Sequence, residues 1–328
     1  IPFHDNLAEL NIALGKFSNA AHYADEARAI AEPNSKTDPL AFAETLKLAG
    51  LVQYHAGDYD RALTLYRRAH ALRTSTLGEK HLLVAESCNN LAVVHTLKGD
   101  ATNGLALYHR ALEIRTNILA PGHPDIAQSW NNLASFHYYQ GENETALALY
   151  LRALGIWQER LGKDHPETGT CLNNLAELYK LKKDWDKAEM YYRKAIEIFE
   201  KTLGRQHALL ATVLNNLATL YDSRDNLAAA EPLYLRALEI RRRHLGPLHP
   251  ELATYLNNLA AMYYSLEKYE LAERYYKEAL AIREKVLGAE HPLTGRLLLN
   301  LAVLYRKTGQ DELARLLRDK ARAILKME

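Results

Sequence analysis

One short motif, Asn-Asn-Leu-Ala, repeats along this chain every 42 residues and constrains the fold more than any other feature. It stands at 89–92, 131–134, 173–176, 215–218 and 257–260, and a near copy follows at 299–302. Self-similarity with a period between about 20 and 50 residues is the signature of a stacked-repeat architecture. The 328 residues therefore predict a solenoid that grows by adding equal units.

Each unit contains two amphipathic helical stretches. In the unit that contains Asn173, apolar side chains at 172, 175, 176 and 179 follow the i, i+3, i+4, i+7 spacing of one helix face. A second apolar stripe covers 188–199 and ends near Gly204, a residue that favours a helix stop. We expect an all-α fold, a right-handed superhelical solenoid of eight antiparallel helix hairpins that forms one domain over 1–328. The predicted units are 1–38, 39–80, 81–122, 123–164, 165–206, 207–248, 249–290 and 291–328.

Small and aromatic residues occupy fixed places in the second helices. All eight units have alanine at one position, and a tyrosine stands nearly one turn before it in six of them. These tyrosines are Tyr66, Tyr108, Tyr150, Tyr192, Tyr234 and Tyr276. The pattern resembles the tetratricopeptide repeat. The 42-residue length, with Ala-Leu-x-Ile-Arg-x-x-x-Leu-Gly-x-x-His-Pro and Leu-Asn-Asn-Leu-Ala, is similar to the kinesin light chain type of that family. The resemblance implies a protein–protein interaction module or adaptor.

Composition argues against several other classes of protein. Lys and Arg number 41 against 40 Asp and Glu, so the chain has no basic excess that would indicate nucleic-acid binding. No run of about 18 apolar residues predicts membrane insertion. The only cysteines, Cys88 and Cys171, lie two repeats apart, too far for a disulfide bond. With no signal peptide visible after Ile1, we expect a cytoplasmic location.

Neither the histidines nor the charged residues indicate an enzyme. Six histidines share one repeat position, a full repeat apart, so they cannot share one metal ion. They are His81, His123, His165, His207, His249 and His291, and we expect each of them where a loop enters a helix. No phosphate-binding loop or catalytic motif occurs. The run Arg241-Arg242-Arg243 is interpreted as a solvated helix face. We expect no catalytic residue, no cofactor and no metal.

The asparagine pairs are the candidate binding site, because asparagine is only a middling helix former and packing does not require it. First helices line the concave face of stacked hairpins, where an amide offers both a donor and an acceptor to a peptide backbone. We expect one asparagine of each pair to set the repeat geometry and the other to face a ligand. The resemblance to kinesin light chain implies that the second asparagine, the one before Leu, faces the ligand. The predicted peptide-binding residues are Asn90, Asn132, Asn174, Asn216, Asn258 and Asn300, then Asn131, Asn173 and Asn215, and the flanking Gln128, Thr170 and Thr212.

Two alternatives to this interpretation of the asparagine row stay open. In the first, the asparagines bond only to one another, which makes the chain a scaffold without a peptide groove. In the second, the repeats are a sensor or autoinhibitory arm of a larger signalling protein with an NTPase or protease domain, which the absence of an initiator Met suggests. In each case we expect a protein or peptide as the partner, and the row itself does not specify the partner's sequence.

Overall fold

The computed structural model describes residues 2–13, 17–245 and 247–326. These residues form sixteen α-helices and one short 3-10 helix, Glu32–Asn34, so the predicted all-α hairpin fold is confirmed. The helices are α1 Pro2–Ala13, α2 Phe17–Ala31, α3 Pro39–His55, α4 Tyr59–Leu77, α5 Leu82–Leu97, α6 Ala101–Ile118, α7 Pro124–Tyr139, α8 Asn143–Arg160, α9 Pro166–Leu181, α10 Trp185–Thr202, α11 Ala208–Ser223, α12 Leu227–Leu245, α13 Pro250–Ser265, α14 Tyr269–Leu287, α15 Pro292–Lys307 and α16 Asp311–Leu325.

The chain divides into two compact units, Ile1–Leu178 and Tyr179–Glu328. The boundary falls near the end of α9, so the first unit holds α1 to α8 and most of α9, and the second holds α10 to α16. Within each unit an odd-numbered helix packs against the even-numbered helix after it, and each hairpin packs on the next odd-numbered helix. We call the odd-numbered helices first helices and the even-numbered ones second helices. The expectation of one continuous domain stays a prediction.

One backbone position in the turn of the second to eighth hairpins explains where their first helices end. Seven equivalent residues have φ between +57° and +81°, the left-handed region that glycine enters without steric cost. They are Gly57, Gly99, Gly141, Lys183, Asp225, Glu267 and Gly309. The next residue caps the second helix in several hairpins. For example, the Asp58 side chain accepts a hydrogen bond from the backbone N–H of Arg61 over 3.1 Å.

The alanine position of the second helices lies at the centre of the packing. All eight alanines are buried, and the six tyrosines nearly one turn before them are buried with them. The first helices contribute an equally tight position. A Cβ atom added to Gly50 would lie 2.6 Å from Cε1 of Tyr66, because the tyrosine ring covers this part of the first helix. Small residues at these places therefore set how closely the two helices of a hairpin approach.

Candidate functional site

The asparagines form hydrogen bonds from one first helix to the next. In each bond, Nδ2 of an asparagine at the second position donates to Oδ1 of the first asparagine of the preceding pair. Asn300 holds this second position alone, because Leu299 precedes it. The bonds run from Asn174 to Asn131 over 3.2 Å, from Asn258 to Asn215 over 3.3 Å and from Asn300 to Asn257 over 2.8 Å. We call these three bonds the asparagine ladder. They lie within the two units, one bond in the first and two in the second.

The two asparagines of a pair differ in exposure. Among the first asparagines, Asn89, Asn131 and Asn215 are buried, whereas Asn173 and Asn257 are half-buried. Asn173 also donates to Oδ1 of Asn174 over 3.4 Å. The second asparagines are all half-buried, namely Asn90, Asn132, Asn174, Asn216, Asn258 and Asn300. In three of the five pairs, the second asparagine therefore lies nearer to solvent than the first.

Several amide atoms on this face have no partner among the described residues. A carboxamide can donate two hydrogen bonds and accept two, and the ladder uses one N–H of Asn174, Asn258 and Asn300. Oδ1 of Asn258 and Oδ1 of Asn300 accept no hydrogen bond from the described parts of the chain, and the whole amide of Asn90 is likewise unpaired. Within the described ranges, the amides of Asn90, Asn258 and Asn300 are thus not fully bonded.

The ladder is interrupted between α5 and α7. Asn132 does not donate to Asn89, and its Oδ1 instead accepts a hydrogen bond from Nε2 of Gln128 over 2.9 Å. As a result, Oδ1 of Asn89 is buried without a partner among the described residues. Gln128, which was predicted as a residue flanking the asparagines, therefore changes the hydrogen bonding of the asparagine row itself. An unpaired buried oxygen is costly, so this step is the least satisfied part of the row.

The other two predicted flanking residues are also engaged. Oγ1 of Thr170 donates to the backbone oxygen of Pro166 over 3.2 Å, and Oγ1 of Thr212 accepts from Nη2 of Arg241 over 2.7 Å. Arg241 also bonds Oη of Tyr255 through Nε over 3.0 Å, so it is not part of a solvated face as the sequence suggested. The neighbouring residues 242 and 243 are exposed, because they point to other sides of the helix.

Arg241 belongs to a row of second-helix residues that sequence reasoning missed. We call this repeat position the arginine position, and its members are Arg73, Arg115, Trp157, Phe199, Arg241 and Arg283. Every member except Arg241 is at most 9% exposed, and Arg241 is half-buried. The repeated dipeptide Ile-Arg marks this position in the sequence, but arginine side chains on helices are usually exposed to solvent.

Arg73 has the most complete set of partners in this row. Its guanidinium donates through Nη2 to Oε2 of Glu44 over 2.7 Å and through Nη1 to Oγ of Ser87 over 2.9 Å. Nη1 also lies 3.0 Å from Oε2 of Glu86. Glu44 and Glu86 come from consecutive first helices, α3 and α5, and Arg73 comes from the second helix between them. Arg73 therefore links three helices through paired charges at the edge of the asparagine face.

The six equivalent histidines cap the first helices. In each case Nδ1 accepts a hydrogen bond from the backbone N–H two residues later, which satisfies one free donor of the helix N-terminus. The caps are His81 to Leu83 (3.1 Å), His123 to Asp125 (3.1 Å), His165 to Glu167 (3.2 Å), His207 to Leu209 (3.2 Å), His249 to Glu251 (3.2 Å) and His291 to Leu293 (3.1 Å). An imidazole nitrogen can accept this bond only while it is unprotonated.

Comparison with known families supports the interpretation of the hairpins. The tetratricopeptide repeat model matches 41–100, 87–135, 125–201, 173–243, 209–285 and 251–327, which together cover most of the chain. The chain belongs to the tetratricopeptide repeat family. No curated protein sequence matches it.

Among solved structures, this tetratricopeptide repeat protein is similar to several proteins of related architecture. BtubC (BKLC) from P. vanneervenii is 28% identical, with a TM-score of 0.55 over 72% of this chain and 92% of that chain. A Podosopora anserina protein described as a kinesin light chain with nearly identical repeats is 22% identical, with a TM-score of 0.50 over 62% and 97%. The Rap conjugation gene regulator of plasmid pLS20, in complex with the Phr* peptide, is 15% identical, with a TM-score of 0.66 over 89% and 76%. The similarity to the kinesin light chain type is thus confirmed.

Within the described ranges, no group of three or more His, Cys, Asp or Glu side chains could hold a metal ion. No helix in the same ranges is long and apolar enough to cross a membrane. Cys88 and Cys171 are buried free thiols, and burial raises the pKa of Cys88 to about 11.

We expect the His207 cap to make the protein sensitive to acid. Burial, together with the positive charges of His244 and Arg241, lowers the pKa of His207. The unfolded chain therefore binds more protons than the folded chain near this pKa, so stability rises with pH. The contribution of His207 is fully present above the unfolded pKa, about 6.5, and is lost as the pH falls through the lower folded value.

The replacement His207→Asn tests this expectation, because asparagine caps a helix and does not titrate. At pH 7 the variant should be about as stable as the wild type, and its unfolding midpoint should fall less between pH 7 and pH 5. His207→Ala should instead lose about 1 kcal/mol already at pH 7, since it removes the cap. Equal acid sensitivity of the wild type and His207→Asn in thermal unfolding would show that His207 does not contribute.

Proposed function

We propose that this chain is a protein-interaction module whose first-helix face binds an extended segment of a partner protein through the second asparagines. The observation that carries the proposal is that the ladder uses one N–H of Asn258 and Asn300 and leaves their Oδ1 atoms without partners among the described residues. An extended peptide backbone offers one donor and one acceptor per residue, which is the complement of such an amide.

The ladder also gives the binding atoms a fixed direction. An asparagine side chain in water rotates about two bonds, and holding it on binding costs entropy. Because Nδ2 of each ladder donor is already bonded to the preceding repeat, part of this entropy is lost when the protein folds rather than when it binds. A row of oriented amides can hold a backbone without reading side chains. We therefore propose that affinity comes from the asparagines and that selectivity comes from neighbouring positions.

The family gives general support to this proposal. Tetratricopeptide repeats serve as protein-interaction scaffolds, and one protein of similar fold, the Rap regulator of plasmid pLS20, was solved in complex with a peptide. The asparagine row of the present chain is the feature that takes the proposal further. In the second unit it is represented by two donors one repeat apart, Asn258 on α13 and Asn300 on α15.

The double variant Asn258→Ala/Asn300→Ala tests the function. Peptides are first selected by the wild type from a displayed library of random dodecapeptides, and their Kd is then measured by fluorescence polarisation. We expect at least a tenfold weaker Kd for the double variant, because each lost hydrogen bond costs about 1 kcal/mol and about 1.4 kcal/mol is a factor of ten.

The matched control is Asn117→Ala, an exposed asparagine on the second helix α6. It should leave the Kd of the selected peptides unchanged. Amide hydrogen exchange of α13 and α15 shows whether the double variant keeps these helices folded. Unchanged peptide affinity in a folded double variant would exclude the asparagine row as the binding element, and failure to select any peptide would argue against the function itself.

A further inference from the structure

Arg283 is a buried arginine without a carboxylate partner among the described residues. It lies on α14 and is 9% exposed, and its one hydrogen bond in the described structure runs from Nη1 to the backbone oxygen of Leu293 over 2.7 Å. The Nε and Nη2 groups make no hydrogen bond there. Burying a charge is costly unless enough hydrogen bonds or a counter-charge compensate it, so the unbonded groups of Arg283 leave this site incomplete.

The equivalent arginine of the first unit indicates where that counter-charge belongs. Glu44 stands 29 residues before Arg73, and Nη2 of Arg73 donates to it over 2.7 Å. Glu86 stands 13 residues after Arg73, and its Oε2 lies 3.0 Å from Nη1. The same two offsets from Arg283 lead to Thr254 and Arg296. The place of one carboxylate is thus taken by a short hydroxyl side chain, and that of the other by a second cation.

The remaining arginines of the row find side-chain partners within the chain. Arg241 bonds Oγ1 of Thr212 and Oη of Tyr255. Arg115 donates through Nη1 to Oγ of Ser129 over 2.9 Å. In the described structure, Arg283 differs from all of them because no side chain accepts a hydrogen bond from it. The position after Arg296, which corresponds to Ser87 and Ser129, is the apolar Leu297.

The surroundings of Arg283 are open to a ligand and positively charged. Thr254 and Arg296 are exposed, and both lie one turn before the second asparagines Asn258 and Asn300. Arg296 has no ion pair in the described structure. Burial lowers the pKa of Arg283, and the nearby charge of Arg296 lowers it further, as expected for a cation in need of an anion.

We propose that Arg283 and Arg296 bind the carboxylate of an Asp or Glu side chain in the partner segment. The carboxylate takes the place that Glu44 and Glu86 occupy at Arg73, so the guanidinium of Arg283 gains the acceptors it lacks. The inference rests on the proposed function and adds a selectivity to it: in the second unit, the asparagines hold the backbone of the segment and Arg283 selects an acidic side chain. Paired guanidinium and carboxylate groups provide strong, directional hydrogen bonds for such selection.

The replacement Thr254→Glu should block this site from within. It adds at the exposed position 254 the carboxylate that Glu44 supplies to Arg73, and Thr254→Gln adds a side chain of the same size without the charge. The probe is sodium acetate, titrated at constant ionic strength against sodium chloride, and the signal is the Nε–Hε resonance of Arg283. That resonance is identified by its loss in Arg283→Lys.

We expect a saturable shift of this resonance in the wild type and in Thr254→Gln, and loss of the response in Thr254→Glu. No saturable shift in the wild type, or the same shift in Thr254→Glu, would overturn the site. If inorganic phosphate shifts the resonance and acetate does not, the assignment to a carboxylate is wrong and the site is one for phosphate.

A second measurement separates this inference from the proposed function. Dodecapeptides selected by the wild type should be enriched in Asp or Glu at one position, and those selected by Thr254→Gln should show the same enrichment. Peptides selected by Thr254→Glu should lose the enrichment. If the wild type selects peptides that bind but have no preference for Asp or Glu, the role of Arg283 is refuted and the asparagine row is still supported. If no peptide is selected, the proposed function fails, and the acetate titration alone decides whether Arg283 binds carboxylates.

Discussion

Replacing Arg73 by Trp is expected to destabilise the first unit by about 3 kcal/mol, at the lower end of the range for breaking a buried ion pair. The side chain is 1% exposed, and the change removes its bonds to Glu44 and Ser87 and its contact with Glu86. The two carboxylates are left beside each other with Lys47 as their remaining cation. Because both glutamates are more than one-third exposed, water moderates the loss.

The chain itself provides the compensating substitutions. Trp157 occupies the arginine position two repeats later, and there Gln128 and Thr170 stand where Glu44 and Glu86 stand near Arg73. The triple variant Arg73→Trp/Glu44→Gln/Glu86→Thr therefore reproduces these three residues of the later repeat. We expect it to recover most of the stability that Arg73→Trp loses. Hydrogen exchange of the amides in α4 and α5 measures the local free energy of opening, which suits a repeat protein better than a single global transition.

Two results would contradict this account of Arg73. If helices α4 and α5 open as rarely in Arg73→Trp as in the wild type, the charge network contributes nothing to stability. If the triple variant opens as often as the single variant, the loss comes from the fit of the tryptophan ring and not from the unpaired carboxylates. The double variant Glu44→Gln/Glu86→Thr serves as the control, since it leaves Arg73 buried without its carboxylates and should also be destabilised.

The period and the apolar spacing were sufficient to predict the hairpins. An amphipathic stripe fixes which face of a helix is buried, and alanine at one position in eight units indicates close helix contact there. The histidines were correctly expected where loops enter helices. That Nδ1 of His207 accepts the N–H of Leu209 was not predictable, because the sequence alone gives neither the orientation nor the tautomer of an imidazole ring.

The asparagine row was predicted as a candidate site, but its bonding depends on neighbours that a single unit does not show. Asn132 leaves the ladder because Gln128, one turn earlier, competes for its amide, whereas Thr170 at the same position leaves Asn174 free to reach Asn131. Whether the second asparagines bind a peptide stays a prediction.

The arginine position was missed for a related physical reason. A long side chain with a charged end can be either solvated or buried, and its partners decide between the two. For Arg73 those partners lie on two other helices, 29 residues before it and 13 residues after it. Reading Arg241 as part of a solvated run was therefore wrong, since Thr212 and Tyr255 accept its hydrogen bonds from neighbouring first helices.

Replacing Trp157 by Ala is expected to cost about 3–5 kcal/mol, the largest loss among these variants. The indole on α8 is 1% exposed and is the largest fully buried side chain in the described structure. Truncation removes its packing and leaves a cavity that the rigid hairpin stack cannot close completely. Hydrogen exchange should show more frequent opening of α7 and α8, and thermal unfolding should begin at a lower temperature.

The control for Trp157→Ala is Leu151→Ala on the same helix, where the leucine is 44% exposed and the expected change is within about 0.5 kcal/mol. Comparable losses in the two variants would mean that α8 frays from its surface and that the arginine position is not a packing centre. A large loss confined to Trp157→Ala would instead show that this position is a packing centre of its repeat. At Trp157, where Gln128 and Thr170 are uncharged, an aromatic ring fills the position, whereas at Arg73, beside Glu44 and Glu86, a paired arginine fills it.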